Sequence, residues 1–385
     1  MQSTISPAVG EQEVLKSLAQ QFATLTDHRQ PRGLRYELTP LLVLIVLAKL
    51  CGANNPLEIA RWVEYRAAWL TAALGLEWKR MPHHATYRRV LQSAIDLSHF
   101  ESQAGQYLRA LADESSALLL NMDGKSLRGT IPKRATQGLR LLAVQRTKQN
   151  AVVSQTAIAE TENEISAAKR LLKKADLQGT ILSGDAIFAQ QELSRQVIQG
   201  GGDYLWKVKA NQAGLLNQIK SLFEHESAQV KDLARARSLD KGHGRIEERV
   251  LTSSSRLADQ VEWPYLGQVF TIRSDRLECQ TQKRSVKTHY GITSLGPMEA
   301  DAQRLLELTR AHWSIENGLH YRRDVTFKED ACRMKSHTAA EALAVCNNLA
   351  VGLIRHAGWD NVAEARRYYD AYPAQALRLI VKPPD

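Results

Sequence analysis

The feature that most constrains the fold of this chain is a pair of short apolar runs that each lead into an aspartate. Residues 117–122 are followed by Asp123, and residues 179–184 are followed by Asp185. Continuous runs of this kind are typical of strands that are buried on both faces of a sheet. Because a sheet holds its strand ends rigidly, functional groups are often mounted there. The chain is therefore predicted to be an α/β protein with a carboxylate at each of two strand ends.

Other segments supply the rest of a mixed sheet and its helices. Further strands are expected at residues 139–145, 151–159 and 203–208, with helices at 164–174 and 190–198. From about residue 227 to residue 295 the chain is more polar and alternates charged and apolar residues, which indicates β structure. Later helices are expected at residues 300–308, 312–323 and 338–355.

The first 112 residues have a helical pattern. Apolar residues recur at helical spacing in residues 14–25, residues 41–51 are typical of a core helix, and Pro56 suits the first turn of another. A further candidate at residues 86–91 carries arginines beside apolar residues. Short helices separated by turns suit a helix-turn-helix-like DNA-binding bundle. A small helical bundle with a solvated basic face explains this stretch equally well.

Charge and composition narrow the class of protein. The chain has 51 Lys and Arg against 41 Asp and Glu, a formal net charge of +10, so nucleic acid is the first partner to consider. The longest apolar stretch, residues 41–50, is half the roughly 20 residues of a membrane span. No secretory signal begins the chain, and no CxxC pair suggests a zinc module or a disulfide framework. We therefore expect a cytoplasmic protein with reduced thiols and no membrane partner.

A third acid, Glu316, lies in a segment with helical character. Helical spacing places His312, Glu316 and His320 on one face, with Arg323 one turn further along. Such a face can bind a metal ion, but an exposed polar face with local salt bridges is the more ordinary explanation. Because Glu329 and Asp330 follow closely, the pattern alone does not single out Glu316.

Phosphodiester chemistry gives a reason for two strand-end acids and one helical acid. Mg²⁺ prefers carboxylate and phosphate oxygens. Two such ions about 3.5–4 Å apart can activate a water or a 3′-hydroxyl and stabilise the leaving oxygen. Three carboxylates meet this need without cysteine ligands, whereas the HExxH motif of many zinc hydrolases is absent.

These acids lie in motifs that resemble a known family. The motifs are Asp27-His28-Arg29 with Arg32-Gly33, Asp123-Gly124-Lys125 with Arg128-Gly129, Gly184-Asp185-Ala186, residues 312–317 (HWSIEN) with Leu319-His320, and residues 324–327 (DVTF) with Glu329-Asp330. Over about residues 20–357 the chain resembles insertion-sequence transposases of the DDE superfamily, in the ISAs-one branch that includes the H-repeat-associated proteins.

The resemblance implies a ribonuclease H-like core with a catalytic and metal-binding triad of Asp123, Asp185 and Glu316. It also implies two Mg²⁺ ions, for which Mn²⁺ can substitute, and double-stranded DNA as substrate, with terminal inverted repeats and target DNA. An assembly of at least two copies is expected on DNA, in association with the bacterial nucleoid. The wider superfamily has Tyr and Arg before the glutamate and Lys after it. Here Thr309, His312 and Arg323 stand at those positions.

The same resemblance suggests a division of the chain into parts. These are a helical N-terminal domain (1–112) expected to bind DNA, a ribonuclease H-like core in two parts (113–226 and 299–358), a β-rich insertion (227–298) and a basic C-terminal tail (359–385).

Basic and aromatic residues near the acids are candidate DNA contacts. The basic candidates are Lys125, Arg128, Lys207, Lys209, His312, His320 and Arg323. Such side chains can bind phosphates, which adds affinity and register but no sequence information, although any one of the lysines can equally be a solvated surface residue. Trp206 and Trp313 could stack on an unpaired base, but packing in the core is the favoured interpretation.

The predicted function is a DNA transposase that catalyses metal-dependent phosphodiester hydrolysis and strand transfer. Two alternatives stay open at this point. One is a nuclease that uses the same core only to cleave. The other is a domesticated DNA-binding protein without catalysis, against which the presence of all three acids counts.

Overall fold

The computed structural model describes residues 16–32, 34–111, 118–132, 134, 136–147, 151–225, 233–242, 244–315 and 321–382. Within these ranges one mixed sheet of nine strands carries helices on both faces. The strands are β1 (Leu118–Ser126), β2 (Arg140–Arg146), β3 (Ala151–Ile158), β4 (Thr180–Gly184), β5 (Asp203–Val208), β6 (Ala234–Gly242), β7 (Arg245–Ser254), β8 (Gln268–Glu278) and β9 (Arg284–Thr293).

The first five strands form a ribonuclease H-like sheet. Their spatial order is β3-β2-β1-β4-β5, in which β2 is antiparallel to both β1 and β3, and β4 is parallel to both β1 and β5. The apolar run at residues 179–184 predicted a buried strand, and β4 is buried along its whole length. The predicted fold class, an α/β core of ribonuclease H type preceded by helices, is confirmed.

The helices in chain order are α1 (Leu18–Phe22), α2 (Leu38–Leu50), α3 (Pro56–Tyr65), α4 (Ala67–Leu74), α5 (His84–Arg89), α6 (Leu97–Ala110), α7 (Glu164–Leu172), α8 (Gln191–Gln199), α9 (Ala213–His225), α10 (Ala302–Ile315), α11 (His337–His356), α12 (Val362–Ala371) and α13 (Pro373–Val381). Apolar residues of α7, α8 and α9 pack against one face of the sheet. On the other face, α10 covers β4 and β5 while α6 and α11 pack against β3.

The β-rich segment extends this sheet. Strand β9 pairs antiparallel with β5, and β8, β7 and β6 follow outward in antiparallel order. The pairing protects the N–H and C=O groups along β5, which would otherwise form an exposed sheet edge. It also brings residues of β9 beside the carboxyl end of β4, where Asp185 lies.

The C-terminal segment differs from the predicted basic tail. Residues 362–381 form α12 and α13, which pack on α1 and α2 of the N-terminal layer. Val362, Ala365, Tyr369, Leu377 and Ile380 are buried there. These apolar residues recur at helical spacing among polar and charged ones, which is an amphipathic pattern. Residues 359–385 are also not basic overall, because their four Lys and Arg are balanced by four Asp and Glu.

The region of the predicted catalytic helix also differs from the expectation. Helix α10 runs without a break from Ala302 to Ile315, through the gap expected between the helices at 300–308 and 312–323, and its last described turn contains His312. Residues 316–320 of the second expected helix lie outside the described residues. After residue 320 the chain forms a π-helical turn, Arg322–Thr326. None of the helices in the described ranges combines the length and apolarity that crossing a membrane would require.

Candidate active site

The parallel pairing of β1 and β4 places Asp123 and Asp185 side by side. Met122 of β1 is in register with Gly184 of β4, and each aspartate is the next residue along its strand. Asp185 follows the last residue of β4 and precedes the 3₁₀ turn Ala186–Phe188. Asp123 lies inside β1, in register with Ala143, because the pairing with β2 continues to Ser126. The prediction that Asp123 ends its strand was wrong, but the two carboxylates are neighbours.

Asp185 is held between two lysines. Lys207 Nζ lies 3.4 Å from its Oδ1, and Lys209 Nζ lies 3.2 Å from its Oδ2. Burial acts to raise the pKa of Asp185, but Lys207, Lys209 and the N–H of Ala186 together outweigh it and lower the pKa below its ordinary value. Asp185 is therefore ionised at neutral pH. The two lysines predicted as DNA contacts lie directly beside the second acid.

Asp123 is oriented by its own strand. Its Oδ1 accepts a hydrogen bond of 2.9 Å from the N–H of Gly124. A side chain at Gly124 would point toward Glu164, the first residue of α7, because a Cβ there would lie 2.9 Å from Glu164 Oε1. The glycine therefore leaves room for a further carboxylate beside the two aspartates.

Glu164 is an acid that the sequence analysis missed. Burial raises its pKa, and the negative charges of Asp123 and Asp185 raise it further, which shows that the three carboxylates share one electrostatic environment. In the sequence, Glu164 is recognisable only as the first residue of a helix. Asn163 is the N-cap of α7 and accepts a hydrogen bond from the N–H of Ser166. Nothing in that local pattern points to strand β1.

His312 is buried where α10 crosses the sheet. Its Nδ1 lies 3.0 Å from Ser183 Oγ, and Ser183 in turn donates to Asn121 Oδ1. Asn121 Nδ2 donates to the carbonyl of Ala311, 3.4 Å away. Burial, with Lys207 adding to it, lowers the pKa of His312 to about 4, although Asp123 and Asp185 oppose the shift. This buried imidazole is neutral at physiological pH and fastens α10 to β4, so the predicted phosphate contact was wrong.

Lys125 and Arg323 are buried around Glu329. Lys125 Nζ lies 2.9 Å from Glu329 Oε2, and Arg323 donates through Nε and Nη2 to both carboxylate oxygens at 2.8 and 3.0 Å. Lys125 also forms an ion pair with Asp324, and Asn347 Nδ2 donates to Glu329 Oε1. The prediction that these two cations contact DNA was wrong, because their side chains are 7% and 1% exposed. They tie β1 to the π-helical turn.

The remaining basic candidates are accessible. Arg128 is exposed at the start of a 3₁₀ turn, with its Nε 3.7 Å from Asp330 Oδ2. Lys209 is 59% exposed and Lys207 is 21% exposed. Both can therefore reach solvent while they remain near Asp185.

Strand β9 adds two basic residues that the sequence analysis missed. Lys207 of β5 is in register with Gly291, so His289 and Lys287 follow on alternate positions of β9. Burial lowers the pKa of His289, and Lys207, Lys209 and Lys287 lower it further, which places these four groups in one basic strip. Only the pairing of β5 with β9, two strands far apart in the chain, brings them together.

Three of the predicted side chains lie outside the described residues, and a fourth, that of Trp206, packs in the core. Glu316 and His320 lie outside the described residues, as does the side chain of Trp313. Trp206 is fully buried, and its Nε1 donates to Ser194 Oγ at 3.0 Å. Base stacking by Trp206 is therefore excluded in this conformation, in agreement with the favoured core interpretation.

The described residues supply part of a metal site. Asp123 and Asp185 are neighbouring hard-oxygen donors, at least one of which is ionised, and this suits Mg²⁺. Within the ranges that the structure describes, no group of three His, Cys, Asp or Glu side chains could hold an ion.

Comparison with known proteins identifies the family. Residues 115–353 match the model of the family described as Transposase DDE domain, and residues 19–108 match the one described as DDE_Tnp_1-associated. The "H repeat-associated putative transposase YhhI" of Escherichia coli K12 is 28% identical over 355 residues, which cover 88% of this chain and 90% of that protein. An uncharacterised protein from the dhlA 3′ region of Xanthobacter autotrophicus is 30% identical over 261 residues, 66% of this chain and 87% of that one.

Among solved structures, the cryo-EM structure of the piggyBac transposase synaptic complex with hairpin DNA has a TM-score of 0.42 and 9% identity. The match covers 95% of this chain and 80% of that chain. The family model spans most of the chain, including both aspartates, and the resemblance to H-repeat-associated proteins is confirmed by a named relative. The chain belongs to the DDE transposase family, in the group of the H-repeat-associated proteins.

Proposed function

We propose that this protein catalyses the cleavage of phosphodiester bonds at the ends of an insertion sequence and joins those ends to target DNA. The observation that carries the proposal is the placement of Asp123 and Asp185 on neighbouring parallel strands, with Lys207 and Lys209 beside the second carboxylate. Family membership supports the same activity.

Asp123, Asp185 and Glu316 are the residues we propose to hold two Mg²⁺ ions, with Mn²⁺ as a substitute. When bound, such ions supply Lewis acidity to the attacking and leaving oxygens of a phosphodiester. The chain's own contribution is to fix the donors. Strand pairing sets the separation of the two aspartates, and the N–H of Gly124 orients Asp123. The contacts of His312 and Asn121 hold the helix that leads to Glu316.

The lysines beside Asp185 have two consecutive tasks in this proposal. Before substrate binds, they stabilise the ionised carboxylate. When a phosphate backbone arrives, Lys209 and Lys207 turn toward it, because a phosphate competes for the same ammonium groups. The basic strip continues through His289 and Lys287 along β9, and Arg128 borders β1, so the backbone has cationic partners on both sides of the acids.

We also propose that the active form is an assembly of at least two copies on double-stranded DNA, bound at terminal inverted repeats and target DNA in the bacterial cytoplasm. Strand transfer requires two ends to reach one target, which a single catalytic site does not supply at once. The net positive charge of the chain favours this partner.

A strand-transfer assay with pre-cleaved element ends tests the proposal. The wild-type protein with Mg²⁺ should yield joined products, and Asp123→Asn, Asp185→Asn and Glu316→Gln should each abolish them. Asp259→Asn, at an exposed aspartate outside the site, is the matched control and should join ends normally. Cleavage of uncut element ends without any joining of the pre-cleaved ends would indicate a nuclease, and joining by Asp185→Asn would contradict the mechanism.

A further inference from the structure

A cleft in the N-terminal helical layer is lined by basic side chains and, unlike the candidate active site, by no carboxylate. It has a volume of about 720 Å³, and its basic side chains come from two walls. One wall is the loop of residues 28–36, with Arg32 and Arg35, and the other comprises residues 80–93, with Arg80 and Arg89. We call this the arginine cleft.

The loop wall is held in place by its own contacts. Arg29 Nε donates to Asp27 Oδ1 at 2.8 Å, and Arg29 Nη2 donates to the carbonyl of Tyr36 at 2.9 Å. The ring of Tyr36 meets that of Trp78 edge-on, with centroids 4.8 Å apart. The motif that begins at Asp27 therefore builds a wall that presents Arg32 and Arg35 outward.

The positive charge of the cleft has no local counter-charge. No carboxylate is among the residues that line it, and nearby Asp27 is already paired with Arg29. Arg32, Arg35, Arg80 and Arg89 are all exposed, and no ion pair is found for them within the described part of the chain. Four cations this close repel one another, and an anionic partner would relieve that repulsion.

We propose that the arginine cleft binds the phosphate backbone of double-stranded DNA. The choice of DNA among polyanions rests on the proposed function. The cleft identifies the surface that holds the duplex and the side chains that contact it. A guanidinium group matches the geometry of a phosphate because it can donate two parallel hydrogen bonds. Since phosphate contacts fix position without reading bases, the cleft anchors the duplex and leaves the chemistry to the sheet.

The lining favours a duplex over a single strand. Proteins that hold single strands stack successive bases on exposed aromatic side chains. Tyr36 is the only Phe, Trp or Tyr among the residues that line the cleft, and its ring is committed to Trp78. An arginine-lined cleft without a stacking platform fits a backbone whose bases are already paired.

Binding without divalent metal tests the cleft separately from catalysis. We would measure the affinity of the full chain for a fluorescein-labelled duplex by anisotropy, in EDTA, over a series of NaCl concentrations. The variants pair one arginine from each wall, Arg35→Ala with Arg89→Ala and Arg32→Ala with Arg80→Ala. Each pair should lower the salt slope of log K by about 1.8, because each phosphate contact contributes about 0.9. Affinity at moderate salt should fall roughly tenfold or more.

Arg88→Ala is the matched control, because Arg88 is exposed on α5 next to Arg89 and does not line the cleft. It should leave the slope unchanged, and the double Arg→Lys variants should recover most of it. Unchanged slopes in the paired alanine variants, with wild-type circular dichroism, would overturn the proposal, as would tighter binding of single-stranded DNA or of an RNA duplex. Because this assay contains EDTA and measures binding alone, a failure of strand transfer by the wild type would leave the cleft standing.

Discussion

Two clusters in this protein each place one carboxylate between two cations, yet they differ in burial. Asp185 is 42% exposed between Lys207 and Lys209, whereas Glu329 is 5% exposed between Lys125 and Arg323. The nitrogen–oxygen distances are 3.2–3.4 Å in the first cluster and 2.8–3.0 Å in the second. Solvent access lets the first cluster exchange its lysines for other partners, while the second can only hold the fold together.

The two clusters also differ in where they lie relative to the candidate catalytic acids. The exposed cluster lies where β4 and β5 present their carboxyl ends, beside Asp123. The buried cluster connects β1, which carries Asp123, to the turn that follows residue 320. We infer that Glu329 stabilises the frame in which the acids are arranged, and that Asp185 works within that frame.

Removal of the buried carboxylate should have the largest effect. Glu329→Gln leaves Lys125 and Arg323 buried with only weak or partial compensation, so the free energy of unfolding should fall by about 3–5 kcal/mol. Urea denaturation measures this. The control, Asp360→Asn, breaks a surface pair with Arg355 and should cost less than about 1 kcal/mol. Equal losses in the two variants would contradict the difference between buried and exposed pairs.

Removal of the exposed carboxylate should reduce activity strongly and stability little. Asp185→Asn should reduce the rate of strand transfer by at least about 100-fold, since even outer-shell partners of metal ligands contribute 10–100-fold. Its free energy of unfolding should change by less than about 1 kcal/mol, because water can solvate the released lysines. A large loss of stability would show that this cluster, too, serves the fold.

Acid should act on the two clusters unequally. Arg323 and Lys125 outweigh the effect of burial and lower the pKa of Glu329 to about 2, below its ordinary 4.5. A depressed pKa in the folded state stabilises the protein above the ordinary value, and this contribution is lost as the pH falls from about 4.5 to about 2. Denaturation at a series of pH values should show a steeper acid loss for the wild type than for Glu329→Gln. Parallel curves would place the acid sensitivity elsewhere.

The smallest effect is expected from a single exposed lysine. Lys209→Ala should lower the salt slope of duplex binding by about 0.9, the share of one phosphate contact. Stability should stay unchanged, because the side chain is 59% exposed. Lys173→Ala, at another exposed lysine, is the control and should leave the slope as it is. A reduced slope for Lys173→Ala alone would locate the DNA on a different surface.

Sequence alone predicted the elements that depend on local pattern. Strands β1 and β4 and the position of Asp185 followed from continuous apolar runs, because a strand buried on both faces needs apolar residues throughout. The two aspartates were also correctly expected at the same sheet, although β1 runs past Asp123 to Ser126. Such features depend on neighbours within a few residues.

What sequence could not predict depends on distant partners. Lys125 looked like a DNA contact because its partner Glu329 is 204 residues away. Arg323 looked like one because its burial, alone among the residues of the π-helical turn, has no local signature. The basic strip required the pairing of β5 with β9, and the environment of Glu164 required its approach to β1. The C-terminal helices were missed because the helical spacing of their buried apolar residues was not recognised in a segment of mixed charge.

Mn²⁺ binding to the purified protein, followed by electron paramagnetic resonance, tests whether Asp123 and Asp185 form a metal centre. The wild type and Asp259→Asn should bind Mn²⁺, and Asp123→Asn and Asp185→Asn should each lose most of that binding while they remain folded. Unchanged Mn²⁺ affinity in both aspartate variants would contradict the claim that these neighbouring carboxylates form the catalytic metal centre.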